Sequence, residues 1–189
     1  MCVTLKFKPN RFVKTALVAL GLFVAFCIGG FAYVADRVKH AQDSGEPQRV
    51  AAEIANFTVP KGFRVTHGVD FLIVKQSTLV STDSANPMTI MLQGLNFTAT
   101  KDAVDQSLTA SMNLHCAKLL ALGDDLLTAN GALFTLHRFT CVGMEGSKET
   151  VEYEAGSFTG KMPTVSIMAF APQSAWRTAP IHALLKSLH

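Results

Sequence analysis

The sequence predicts an α+β protein in which one N-terminal transmembrane helix is followed by a mostly antiparallel sheet packed with helices. Three observations lead to this fold class. Residues 15–35 form an uninterrupted apolar run without a charged side chain. The later segments are grouped as strands, helix, strands and helix, instead of alternating strictly. Thr150–Ala155 alternates between apolar and polar residues, which is typical of a half-exposed antiparallel strand.

The apolar run has the length of a single membrane crossing. At about 1.5 Å per residue, a helix over 15–35 spans about 31 Å, which matches a hydrocarbon core of about 30 Å. Basic residues precede the run, and acidic residues do not, so this end is expected to stay in the cytoplasm; the basic residues are Lys6, Lys8, Arg11 and Lys14. A cleaved signal peptide is the alternative, because Gly30–Ala32 offers small residues at the expected spacing. Both interpretations export the rest of the chain.

This orientation divides the chain into four segments. They are a cytoplasmic tail (1–14), a transmembrane helix (15–35), a linker (36–50) and an exported α+β domain (51–189). The linker is indicated by an abrupt change to charged residues and by the helix breakers Gly45 and Pro47. We therefore expect a single-pass signal-anchor protein of the inner (cytoplasmic) membrane, with its C-terminal domain in the periplasm or outside the cell.

The predicted crossing has a face of small residues. Gly21, Ala25 and Gly29 lie at i, i+4 and i+8, a spacing that permits close packing with another helix. The expected partners are therefore the lipid bilayer and an integral membrane protein complex.

The positive charge does not predict a nucleic-acid partner. The formal net charge is +3, from 17 basic and 14 acidic residues. Four of the basic residues precede the apolar run, so 17 − 4 = 13 basic residues face 14 acidic ones in the remainder. Because the remainder is close to neutral, the basic character belongs to the membrane-targeting end.

The exported domain is predicted to begin with a short helix and two strands. Pro47 suits the first turn of a helix, and Val59–Phe63 contains a Pro-Lys-Gly turn. Asp70–Lys75 and Met88–Gln93 are short, nearly continuous apolar runs, which are typical of strands covered on both faces. Turn residues over 83–87 separate them.

A change of period predicts a helix from Lys101 to about Leu120. Val104, Leu108 and Met112 recur at helical spacing. Thr100 is the expected N-cap.

The last third is predicted to contain a hairpin, further strands and a closing helix. Asn130–Gly131 is a strong hairpin-turn signal. Within Thr150–Ala155, Glu152 and Glu154 are expected to face solvent, opposite a buried apolar side. The segments are strands over Ala132–Val142, Thr150–Ala155 and Thr164–Ala171, and a connector with a helix over Pro172–His189.

The cysteines favour one disulfide. Cys2 and Cys27 fall in the tail and the crossing, which leaves Cys116 and Cys141 as the pair in the exported domain. A bridge closing a loop of about 25 residues is worth about 3 kcal/mol in chain-entropy models. Two buried free thiols are the alternative.

No metal, cofactor or catalytic residue is expected. His115, Cys116, His137 and Cys141 are zinc-ligand types, but His137 and Cys141 lie about 13 Å apart if they share a strand. Neither a Cys-x-x-Cys motif nor a Gly-x-Ser-x-Gly elbow occurs. The acidic residues, Asp124–Asp125 included, are interpreted as solvated.

Two segments carry a family resemblance. Phe57–Phe63 (FTVPKGF) and Ile181–Leu188 (IHALLKSL), together with the element order, resemble the PsbP-like family over residues 52–188. The resemblance implies an α/β/α sandwich. It also implies a small accessory or binding protein, since several members of that family are attached to membrane complexes, and it carries no catalytic constellation onto this chain.

The sequence therefore predicts a membrane-anchored, non-enzymatic accessory or interaction module of a larger membrane protein complex. An exported domain that binds a small ligand or a lipid is the alternative. A thiol or hydrolytic enzyme is the third and least favoured class.

Overall fold

The computed structural model describes residues 46–71, 73–129, 131–144 and 149–189. Within these ranges, α-helices, strands and one short 3-10 helix follow one another. In chain order they are α1 (Glu46–Ile54), β1 (Phe63–Asp70), β2 (Val74–Ser81), β3 (Thr89–Leu95), α2 (Lys101–His115), β4 (Cys116–Ala129), β5 (Ala132–Met144), β6 (Thr150–Phe158), β7 (Thr164–Pro172), η1 (Gln173–Ala175) and α3 (Ala179–Lys186).

The strands form one seven-stranded sheet in the order β1-β2-β3-β7-β6-β5-β4. Every pair of neighbouring strands is antiparallel. At the centre, β3 pairs with β7 and so joins the first three strands to the last four. Leu92 lies opposite Ile167 in this pair, and both side chains are buried. The middle of the core is therefore formed by residues that are distant in the sequence.

Helices cover both faces of the sheet. Along β7, Ile167 and Ala169 belong to the core that contains residues of α1 and α3, whereas Met168 and Phe170 belong to the core beneath α2. Because successive side chains of a strand point to opposite faces, α1 and α3 lie on one face and α2 on the other. These are called the α1/α3 face and the α2 face below.

Helix α1 packs closely on β1 because β1 has a glycine at the contact. A Cβ atom on Gly68 would lie 2.7 Å from the Cα atom of Pro47. Val50 and Ile54 of α1 are fully buried. The helix begins within the predicted linker (36–50), so the last residues of that segment are part of the folded domain.

The predicted strand over Asp70–Lys75 is wrong. The chain turns there, since β1 ends at Asp70 and β2 begins at Val74. The N–H of Phe71 donates to the carbonyl of Val74 at 2.8 Å, which closes the β1–β2 hairpin. Apolar residues in the turn gave the segment the composition of a buried strand.

Helix α2 begins where it was predicted and ends earlier. The side chain of Thr100 accepts a hydrogen bond from the N–H of Ala103 at 3.3 Å, which confirms the predicted N-cap. The helix ends at His115, and β4 starts with the next residue. Residues 116–120 were predicted to be helical because the spacing of their leucines fits a helix as well as a strand. In the structure they pair with β5 and are therefore a strand.

The predicted fold class is corrected by the structure. The described residues form mainly an antiparallel sheet, with three α-helices of 9, 15 and 8 residues. Within the described ranges, none of the helices is long and apolar enough to cross a membrane. Helical content was overestimated because residues 116–120 were assigned to a helix and because the closing helix was expected to include Trp176, whereas α3 begins at Ala179. The predicted tail (1–14) and crossing (15–35) lie outside the described residues.

Candidate functional site

The disulfide joins the start of β4 to β5. The sulfur atoms of Cys116 and Cys141 are 2.11 Å apart, so the pair expected from the sequence is bonded in the structure. Cys141 is fully buried, and the bond packs in the core formed with Met112 of α2 and Tyr153 of β6. The bridge therefore fixes the point at which α2 passes directly into β4.

The histidine and cysteine residues weighed as zinc ligands do not form a metal site. Both sulfur atoms are in the disulfide, so neither is a thiolate ligand. His137 instead lies between two carboxylates: its Nδ1 is 2.7 Å from Asp124 Oδ1, and its Nε2 is 3.2 Å from Asp105 Oδ2. Since Asp105 is on α2 and His137 on β5, these contacts tie the helix to the sheet, and they engage both ring nitrogens that a general base would use.

Two glutamates of β6 are buried, contrary to the sequence prediction. Glu152 and Glu154 were expected to face solvent, but they are 5% and 1% exposed. Glu154 lies opposite Ala169 in the sheet, on the α1/α3 face. The prediction was wrong because the alternation was taken to indicate one solvated side, whereas helices cover both faces.

The two buried carboxyl groups have different surroundings. Glu152 accepts a hydrogen bond at 3.0 Å from the hydroxyl of Thr140. In contrast, both carboxylate oxygens of Glu154 are buried without a hydrogen-bond partner among the described residues. The pKa of Glu154 is raised to about 7, mainly by burial and also by the negative charge of Asp125, while the guanidinium of Arg138 opposes the shift.

Asp125 of β4 and His182 of α3 converge on Glu154. The Nε2 atom of His182 lies 2.8 Å from Asp125 Oδ2. One nitrogen or oxygen atom from each of the three residues lies within 4.8 Å of the other two. We call this group the Asp125–Glu154–His182 cluster.

Sequence reasoning missed this cluster. Its members come from three elements that are separate in the sequence and meet only in the sheet order, so no local spacing marks them. Asp125 was interpreted as a solvated acid, although its side chain is only 27% exposed beside His182. The one available signal was a pair of glutamates in a strand rich in apolar residues.

The outer edge of β4 is a second unusual surface. β4 is the last strand of the sheet, and no other described strand pairs with its outer side. It is 14 residues long, and Leu122 and Leu126 are 52% and 63% exposed. Such an edge presents unpaired backbone donors and acceptors together with apolar side chains. We call this surface the β4 edge.

A cavity of about 610 Å³ lies at one end of the sheet. Among its lining residues are Phe134 and Phe158, whose ring centroids are 6.4 Å apart, and the cationic residues Lys101 and Lys161. The lining therefore combines aromatic surface with positive charge.

The predicted helix-packing residues Gly21, Ala25 and Gly29 lie outside the described residues. No family model matches the chain, and no curated protein matches it. The resemblance to the PsbP-like family stays a prediction.

Proposed function

We propose that this chain is a non-enzymatic interaction module that assembles through the β4 edge, and that a second copy of the chain supplies the pairing strand. The observation that carries the proposal is the 14-residue edge strand with its exposed leucines. Monomeric proteins usually shorten, cover or charge such edges, because an open edge recruits another strand. An exposed apolar edge is therefore better explained by a partner than by solvent.

The charge pattern of β4 favours an antiparallel copy. When two antiparallel copies pair around Ala121, the start of β4 with Lys118 runs alongside the later part of the other copy's β4 with Asp124, and both residues are exposed. Leu120 and Leu122 lie between these charges, at the bulge that shifts the β4–β5 register after Ala121. Each contact occurs twice by two-fold symmetry, and cross-strand contacts of this kind contribute about 0.2–1 kcal/mol each. The strand is thus complementary to itself in charge and in apolar character.

The proposed location of this assembly is outside the cytoplasm. The bond between Cys116 and Cys141 supports this location, because structural disulfides form and persist in oxidising compartments. An exported module that pairs through a strand also fits the predicted accessory role beside a larger complex.

Sedimentation of the purified full chain tests the proposal. We expect a dimer for the native chain and a dissociation constant at least about tenfold weaker for Leu122→Lys, since each copy then places a charged side chain against the apolar contact near Leu120 of the other. Ile73→Lys is the matched control, because Ile73 is 61% exposed in the β1–β2 hairpin, at the other side of the sheet.

A photo-crosslinking residue at position 122 identifies the protein that binds the β4 edge in cells. Crosslinks between copies support the proposal. Crosslinks to a different protein alone would reject the second copy as the occupant, and a monomeric native chain without crosslinks at 122 would reject the β4 edge as an interface.

The cavity favours a second candidate function, which is binding of a small anionic amphiphile. Its lining offers aromatic contact from Phe134 and Phe158 and positive charge from Lys161, whereas Lys101 is paired with Asp105. A fluorescent fatty acid is a suitable probe. We expect saturable binding that Lys161→Glu weakens and that Lys61→Glu, at an exposed turn, leaves unchanged. Absence of saturable binding by the native chain would reject this function.

A further inference from the structure

We propose that the Asp125–Glu154–His182 cluster is a binding site for one divalent transition-metal ion, with zinc as the ion it suits best. The site uses residues different from those of the proposed β4–β4 contact, so the two proposals stand or fall separately.

The first observation is the carboxyl group of Glu154. The residue is 1% exposed, and neither of its oxygens has a hydrogen-bond partner among the described residues. A buried polar group left without a partner costs about 1–3 kcal/mol, and more when it is charged. A bound cation would coordinate one of these oxygens, neutralise the charge and so offset part of that cost.

The neighbouring arginine does not take this role. Arg138 lies directly opposite Glu154 in the β5–β6 pair, yet the carboxylate oxygens accept no hydrogen bond from it. The Nε atom of Arg138 is itself buried without a partner in the described part of the chain. The carboxylate of Glu154 is thus available for an ion that it would share with Asp125 and His182.

The second observation is the geometry of the three side chains. The ligand atoms already lie within 4.8 Å of one another, and His182 Nε2 and Asp125 Oδ2 are 2.8 Å apart. An ion at about 2.1 Å from each ligand atom holds tetrahedral ligands about 3.4 Å apart. Loading therefore requires Glu154 to approach the Asp125–His182 pair, and the ion takes the place of the hydrogen between Nε2 and Oδ2, so that the neutral imidazole ligand carries its hydrogen on Nδ1.

The ligand types select the class of ion. Calcium and magnesium prefer sets made of oxygen atoms alone, whereas an imidazole nitrogen with carboxylates suits zinc and its first-row neighbours. Three protein ligands leave the fourth tetrahedral position to water. The expected stoichiometry is one ion per chain.

Titration of the chelator-stripped full chain with Zn²⁺ tests the proposal, and Co²⁺ absorption reports the coordination geometry. We expect one saturable site, a higher melting temperature on loading, and no comparable effect of Mg²⁺. His182→Gln is expected to weaken Zn²⁺ binding at least about tenfold. Glu154→Gln, which keeps the side-chain volume, is expected to weaken it similarly.

The matched control is His137→Gln. His137 also pairs with an aspartate, at 2.7 Å, but it lies outside the cluster. Retention of native affinity in both His182→Gln and Glu154→Gln would overturn the proposal, as would loss of the site in His137→Gln alone. Circular dichroism of each variant verifies that it is folded; because the side chain of His182 is 26% exposed, His182→Gln tests the site even if Glu154→Gln does not fold.

Discussion

At the scale of the residue, Glu154 is the most unusual side chain of the domain. Its carboxyl group lies on the α1/α3 face, next to an apolar core, and both of its oxygens are buried without a hydrogen-bond partner among the described residues. Burial is the main cause that holds the pKa of Glu154 near 7, far above the ordinary value of 4.5. Ionisation of this buried carboxyl group therefore lowers the free energy of unfolding of the protein.

This cost gives a testable pH dependence for the metal-free protein. Between pH 4.5 and about 7, the folded protein holds the Glu154 proton more tightly than the unfolded chain does. The contribution of Glu154 to the free energy of unfolding is accordingly greatest below pH 4.5 and falls as the pH rises towards 7, by at most about 3 kcal/mol. Urea unfolding with a chelator present, at several pH values from 4.5 to 8, measures the slope.

Glu154→Gln is expected to remove most of that slope and to be the more stable protein at pH 8. Asp102→Asn is the control, because Asp102 is exposed in the first turn of α2 and is expected to leave the slope unchanged. An identical pH profile for native protein and Glu154→Gln would show that the carboxyl group is not the source.

At the scale of the element, the passage from α2 into β4 depends on the bridge at Cys116. The helix ends at His115 and the strand begins at Cys116 without a connecting loop. The bond to Cys141 anchors this junction in the α2-side core. A covalent anchor here restrains both elements in the unfolded chain as well as in the folded one.

Replacement of both bridging cysteines by serine is expected to lower the free energy of unfolding by about 3 kcal/mol, as the loop length implies. Chemical denaturation under oxidising conditions measures the change. Reduction should bring the native protein to the same level. A Cys2→Ser/Cys27→Ser variant serves as the control and should still respond to reductant; equal stability of oxidised and reduced native protein would contradict the prediction.

At the scale of the whole molecule, stability depends on the junction of β3 with β7. Leu92 and Ile167 meet there at the centre of the core that α1 and α3 cover. Because this core runs continuously across the sheet, the first three strands and the last four are expected to unfold together.

Leu92→Ala is expected to cost about 2–5 kcal/mol, because it leaves a cavity in a fully buried site. Fluorescence of Trp176, the only tryptophan, and far-UV circular dichroism should shift together on denaturation. Leu114→Ala, at a leucine of α2 that is 84% exposed, is expected to change stability by less than about 0.5 kcal/mol. Separate transitions for the two probes would refute the single cooperative unit.

Features that depend on nearby residues could be predicted from the sequence, whereas the order of the strands in the sheet could not. The cap at Thr100 follows from short-range preferences, and the bond between Cys116 and Cys141 follows from how few cysteines the domain has. The burial of Glu154 and its meeting with His182 depend on which strands become neighbours and on which helix covers them. The spacing of residues along the chain does not contain this information. A strand with alternating polar and apolar residues exposes its polar side to solvent only if no helix packs on that side.

The seating of Pro47 against Gly68 has a mechanical consequence. A pulling force applied to the chain ahead of Glu46 reaches α1 first, and that close contact must separate before the load passes to β1. Val50 and Ile54 of α1 are fully buried in the same core as Leu92 and Ile167, so displacing the helix also opens that core. We therefore expect a load applied from that end to be resisted until the domain unfolds as a whole.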